Sequence, residues 1–130
     1  MRPEELKEVP LFADLSPNDL AGIAAVMRGQ EHARGAVLVE EGDIPTKFFV
    51  LLSGHATVHR EGRWVADLGP GDFFGEVGIL ALAPRNASVI ATTPGSTAVT
   101  MGWELRRVLD ETPTLGALVQ GVAAARSRPG

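Results

Sequence analysis

Residues 74–88 read FGEVGILALAPRNAS. Gly75 and Glu76 follow the opening Phe74. Six apolar residues come next, interrupted only by Gly78. Pro84 and Arg85 then lead into the small polar residues Asn86, Ala87 and Ser88. An acid and a base thus stand nine positions apart around an apolar run. Either they only pair with each other, or they hold something that seeks an acid at one point and a base at another. Glu76 to Leu80 suffices for about one helical turn before Pro84 forbids continuation.

The flanks read as strands. Before the run come AVLVE, KFFVLLS, HATVHR and RWVADL; after it come ASVIATT and STAVTMG, separated by the turn pair Pro94-Gly95. Gly35, Gly42, Gly54, Gly62 and Gly69 recur every seven to twelve residues, as in antiparallel strands joined by tight turns. An open sheet of that size would leave bare edges. The expected fold is therefore mainly β: an eight-stranded antiparallel jelly-roll barrel with N-terminal helices and two C-terminal helices. Phe48, Phe49, Phe73 and Phe74 are expected in its core.

The ends read as helix. In SPNDLAGIAAVM, Ser16 can cap, Pro17 suits the first helical position, and Leu20, Ile23, Ala24 and Met27 share one face. WELRRVLDET reads as a short helix that Pro113 and Thr114 end. LGALVQGVAAARSR reads as another, and the tail RSRPG as frayed. The 130 residues form one domain on this reading, with N-terminal helices over 1–29, the barrel over 30–101 and two helices over 102–127.

Composition removes several function classes. There is no cysteine, which excludes disulfides, thiolate metal sites and cysteine nucleophiles. The net charge of −4 speaks against direct nucleic-acid binding by this chain. No apolar run approaches the roughly 18 residues of a membrane span. No signal-peptide core opens the chain, so a soluble, cytoplasmic domain is expected.

Within the bracketed run, Gly75 and Gly78 let a ligand approach the backbone. Arg85 offers a planar fork suited to phosphate. An ionised Glu76 only accepts hydrogen bonds, so it sits well beside a phosphate only if a donor lies between, as a sugar hydroxyl does. The set suits a small phosphorylated sugar.

FGEVGILALAPRNAS closely resembles the phosphate-binding cassette of cyclic nucleotide-binding domains, the family of protein kinase A regulatory subunits, cyclic nucleotide-gated channels and the catabolite activator protein. EGDIPTKFFVLLSGHATV and PLFADLSPNDL resemble further segments of that family, in its order. The resemblance implies a regulatory domain whose ligand is a 3′,5′-cyclic nucleotide, cAMP before cGMP, with no cofactor. Glu76 would take the ribose 2′-hydroxyl and Arg85 the cyclic phosphate, with Phe74, Gly75, Val77, Gly78, Asn86, Ala87 and Ser88 completing the site. Asn86 departs from the Ala, Ser or Thr that relatives often carry, where Thr goes with cGMP. The helix WELRRVL would act as a hinge and the last helix as a lid, with Leu118, Val119 and Val122 as its apolar face. A homodimer, or an effector domain outside this chain, would receive the signal.

Two rival readings remain. One is a degenerate module of the same fold that serves protein contact or dimerisation without nucleotide. The other is a cupin-like metalloenzyme, raised by His32, His55 and His59. On a strand, however, the two histidines of HATVH stand roughly 13 Å apart, too far for one ion. No nucleophile or metal set supports catalysis, so no enzyme is expected. Trp64 and Trp103 are read as core or rim.

Overall fold

In the computed structural model, which describes residues 1–126, the longest apolar strand organises the molecule. This is β3 (Lys47–Ser53), KFFVLLS. It does not alternate apolar with polar because both of its faces are covered. Phe48 and Val50 point to one buried cluster, Phe49 and Leu51 to another. Successive side chains on a strand face opposite ways, so a strand buried on both sides reads as a continuous apolar run.

The other strands are β1 (Arg28–His32), β2 (Val37–Val39), β4 (Ala56–Arg60), β5 (Arg63–Leu68), β6 (Phe73–Phe74), β7 (Ser88–Ala91) and β8 (Gly95–Met101). They form two four-stranded antiparallel sheets, ordered β1-β8-β3-β6 and β2-β7-β4-β5. This corrects the expected closed barrel. The chain changes sheet at Gly54, between β3 and β4, where φ is +84° and an added Cβ would lie 2.6 Å from the Pro94 carbonyl oxygen. Side chains then fill the space between the sheets. Phe49, Leu51, Phe74 and Val99 come from one, and Val39, Ala56, Leu68 and Val89 from the other. No hydrogen-bond ladder joins the edge strands β1 and β6 of one sheet to β2 or β5 of the other, so the two sheets pack face to face.

Helices cover the outer face of the β3 sheet. They are α1 (Pro3–Leu6), a 3-10 turn (Pro10–Phe12), α2 (Pro17–Val26), α3 (Glu76–Ala81), α4 (Gly102–Glu111) and α5 (Pro113–Arg126). Leu6, Phe12, Ile23, Leu105, Leu115 and Val119 meet Phe48 and Val50 there. No described helix is long and apolar enough to cross a membrane. Pro113 does not sit in a break between helices. It opens α5, since proline lacks only an N–H that the first turn leaves unpaired anyway.

Two strands escaped the sequence reading. β1 is RGQEH, with no apolar residue, and holds its place by pairing along β8 from Arg28–Val99 to His32–Gly95. It begins two residues before the expected start of the strand region. β6 is two residues long. The start of α2 is as expected: Ser16 accepts a hydrogen bond from the Asp19 N–H at 3.1 Å, and Pro17 occupies the first turn. Ser16→Ala should therefore cost about 1 kcal/mol in a urea unfolding curve, with an unchanged denaturant slope.

Candidate functional site

The helix α3 is cut to six residues by its neighbours. Gly75 precedes it with φ +94°, and Leu82 follows it in the left-handed region with φ +54°. Gly75 tolerates no side chain, because a Cβ would lie 2.9 Å from the Lys47 carbonyl oxygen. After Pro84, the Arg85 N–H donates to Asp43 O and the Gly42 N–H donates to Arg85 O, both at 2.8 Å. These two bonds fold the end of the run back onto the loop before β3.

That return places Arg85 beside the start of α3. Its Nη1 donates to Gly75 O at 2.6 Å and its Nη2 to Lys47 O at 2.5 Å. The side chain is buried, and desolvation pushes the guanidinium below its ordinary pKa, opposed by the charges of Glu76 and Asp43. An arginine nonetheless stays protonated in proteins. Two of its five N–H groups serve carbonyls, which leaves three for a ligand.

Glu76 is completely buried. Its partner is not Arg85. Oε1 accepts from Arg126 Nη1 at 2.6 Å, and Oε2 has no partner among the described residues. Arg126 Nη1 also donates to Phe73 O at 2.8 Å, and the guanidinium lies 5.2 Å from the centroid of the Phe73 ring. The Arg126 carbonyl accepts from Arg60 Nη2 at 3.1 Å and from Asn86 Nδ2 at 3.4 Å. Arg60 Nε donates in turn to Asn86 O.

These groups surround a cavity of about 280 Å³. Phe74, Gly75, Glu76, Val77, Gly78, Arg85, Asn86 and Ala87 all line it. Ser88 does not; it lies in β7, and its hydroxyl accepts from the Glu41 N–H at 2.9 Å. The far wall comes from β4 and β5, through Val58, Arg60, Val65, Ala66 and Leu68. Alternation along HATVHR and RWVADL marks those strands but not which face looks into a cavity. From α5 the lining residues are Ala125 and Arg126, in place of the expected lid face. Val119 is taken up by the helical core, Leu118 is largely exposed and Val122 is half-buried. Arg126 belonged to the tail read as frayed. It is instead the end of α5 and is held at both its side chain and its carbonyl, while residues 127–130 lie outside the described residues.

Trp64 and Trp103 are not core: they are 61% and 65% exposed, and neither lines the cavity. His32, His55 and His59 do not gather. His59 bonds with Thr57 of its own strand, and among the described residues no group of three or more His, Asp or Glu side chains could hold a metal ion.

What the arrangement can do is bind a small molecule of mixed character. Arg85 offers donors at one end, Glu76 is an acceptor nearby, and valines from β2, β4, β5 and β7 of one sheet supply an apolar body to the cavity.

Comparison with known proteins agrees. The sequence profile of the cyclic nucleotide-binding domain matches residues 29–112. The chain is 41% identical over 88 residues to a cAMP-dependent protein kinase regulatory subunit of Hypocrea atroviridis, which covers 68% of this chain and 19% of that one. It thus spans about a fifth of the length of that curated relative. Among solved structures it superposes on the regulatory domain of Toxoplasma gondii PKA, crystallised with cAMP, with a TM-score of 0.82 and 22% identity, over 94% of this chain and 48% of that one. It superposes equally on the regulatory subunit of a cAMP-independent protein kinase A from Trypanosoma brucei, with a TM-score of 0.80 and 21% identity, over 97% and 44%. Likeness of fold alone therefore does not choose the ligand.

Proposed function

The chain belongs to the cyclic nucleotide-binding domain family, and from that premise we propose that it is a regulatory domain which binds a 3′,5′-cyclic nucleotide, cAMP before cGMP. The observation that carries the reading is the return of Arg85 onto the start of α3. It brings a buried guanidinium with three uncommitted N–H groups and a buried carboxylate into the wall of one cavity. On this reading the cyclic phosphate takes the free donors of Arg85 and the ribose 2′-hydroxyl donates to Glu76. The base lies along the valines of β4, β5 and β7. The domain binds and does not catalyse, and its occupancy reaches an effector or a second copy of the chain through α4 and α5. Arg106 ties α4 to the main chain of α3 at Ile79, so the cassette and the C-terminal helices are already in contact.

One observation favours a second reading, a nucleotide-free interaction module. Glu76 has no exposed surface, and the chain's own Arg126 holds it. Calorimetry separates the two. Titration with cAMP should give saturable heat, and with cGMP a weaker isotherm. Both nucleotides should raise the melting temperature in the same order, since a ligand specific to the native state stabilises it. Folded protein that gives no heat and no shift with either would leave the interaction module as the better description.

A further inference from the structure

Arg60 is the polar side chain that β4 and β5 bring to the cavity. The other lining residues of those strands, Val58, Val65, Ala66 and Leu68, are all apolar. We propose that Arg60 reads the base: its guanidinium donates to the acceptor edge of a purine, and so sets how far the domain separates adenine from guanine. The proposal rests on reading the cavity as a cyclic nucleotide site, with the phosphate at Arg85 and the ribose at Glu76.

Three observations carry it. The first is place. Arg60 follows Val58 by two positions on β4, and both line the cavity. They stand on the far wall from the start of α3, along which the base lies. The second is hold. Arg60 Nε donates to the Asn86 carbonyl and Nη2 to the Arg126 carbonyl, both at 3.1 Å. Nε and Nη2 share one edge of the planar group, so two main-chain anchors fix its plane. A side chain held in this way loses little freedom on contact with a ligand. The third is what the anchors leave over. Of five guanidinium N–H groups, the pair at the tip, one from Nη1 and one from Nη2, has no hydrogen-bond partner among the described residues. No carboxylate among them pairs with Arg60 either. Two parallel donors match two adjacent acceptors.

The two purines differ at that edge. Guanine presents N7 and O6 side by side, both acceptors, whereas adenine presents N7 beside the N6 amine, a donor. Arginine has no acceptor to offer the amine. The tip can therefore make two bonds to guanine and one to adenine. Guanine also brings more polar groups against an apolar wall, which costs affinity where they stay unpaired. Arg60 offsets part of that cost. It narrows the gap between cAMP and cGMP without reversing their order. A role confined to tying β4 to its neighbours would instead act on every nucleotide alike.

The test is calorimetry on the full chain with cAMP, cGMP and cyclic inosine 3′,5′-monophosphate, whose base keeps N7 and O6 but lacks the 2-amino group. The proteins are the wild type, Arg60→Ala and Arg60→Lys. Arg60→Ala should weaken cGMP and the inosine nucleotide about thirtyfold and cAMP about threefold, so that the preference for cAMP widens about tenfold. Arg60→Lys, a point donor without the fork, should widen it about threefold. Equal losses for all three nucleotides, or an unchanged preference, would make Arg60 a structural tie and overturn the proposal while nucleotide binding stands. The same holds if the inosine nucleotide follows cAMP, or if the wild type binds cAMP and neither of the other two. A cooperatively melting wild type that binds no nucleotide removes the reading of the site, and the proposal with it. Should Arg60→Ala fail to fold, an unchanged preference in Arg60→Lys overturns the proposal by itself.

Discussion

Replacing Arg85 by alanine is expected to weaken cAMP binding by about a hundredfold or more and to destabilise the fold as well. The two effects have separate causes. Within the fold Arg85 bridges the carbonyls of Gly75 and Lys47, one at the start of α3 and one at the start of β3. Both lose a charged donor when the side chain goes, which costs on the order of 1–3 kcal/mol for each carbonyl left unpaired away from water and less where water can follow into the cavity. For the ligand the loss is larger. Charge-assisted bonds to phosphate are worth about 1.5–3 kcal/mol each, and the other two guanidiniums that line the cavity, Arg60 and Arg126, are already engaged by main-chain carbonyls and Glu76. About 3 kcal/mol corresponds to the hundredfold. Arg85→Lys should restore part of the affinity but little of the stability, because a single ammonium cannot span two carbonyls and a phosphate. Calorimetry and urea unfolding on the same preparations separate the terms. Binding by Arg85→Ala at wild-type affinity would remove Arg85 from the site.

How far the residues alone carried this picture depends on how local each signal is. Ser16 and Pro17 opened a helix where they should, because capping is settled within four residues. KFFVLLS is a strand from end to end, although nothing in it says that its two faces meet different layers. Glu76 and Arg85 were legible as a pair with a shared purpose. Their spacing posed a choice between mutual pairing and a shared ligand, and the hydrogen-bond partner that Glu76 finds within the chain is a third residue, Arg126, fifty residues on. A contact of that sequence separation depends on where α5 ends, and helix ends carry the weakest local signal. The same reasoning covers β1, where RGQEH is a strand only because β8 lies beside it. It covers the sheets too, since glycine spacing reports turns without reporting which strand edges meet. Arg60 was invisible as a cavity residue for that reason: its place follows from the pairing of β4 with β7, which brings it beside Asn86.

Phe49→Ala should be the most damaging single truncation for stability, at about 3–5 kcal/mol. Phe49 lies between the sheets, 7% exposed, and stacks on Phe74 with ring centroids 4.9 Å apart and planes 7° from parallel. Leu51, Val99, Leu68 and Val89 share that layer. Its neighbours are fixed in two different hydrogen-bonded ladders, so they cannot collapse into the space the ring leaves, and the cavity term adds to the lost transfer energy. The cost is a large share of the 5–15 kcal/mol that holds a typical domain together. For a chain of this length it should lower the melting temperature by about 10–20 °C. Trp64→Ala is the control. The ring removed is larger, but it lies on the open face of β5, 61% exposed, with one hydrogen bond from Nε1 to Asp67. That change should stay within about 1 kcal/mol, because the ring leaves no cavity behind. The expected order, a smaller ring costing several times more than a larger one, follows from the layer between the sheets and from nothing in the residue types themselves. A near-neutral Phe49→Ala would mean that the two sheets do not pack through that layer. A costly Trp64→Ala would mean that the outer face of β5 is covered in solution, by a second copy of the chain or by another partner.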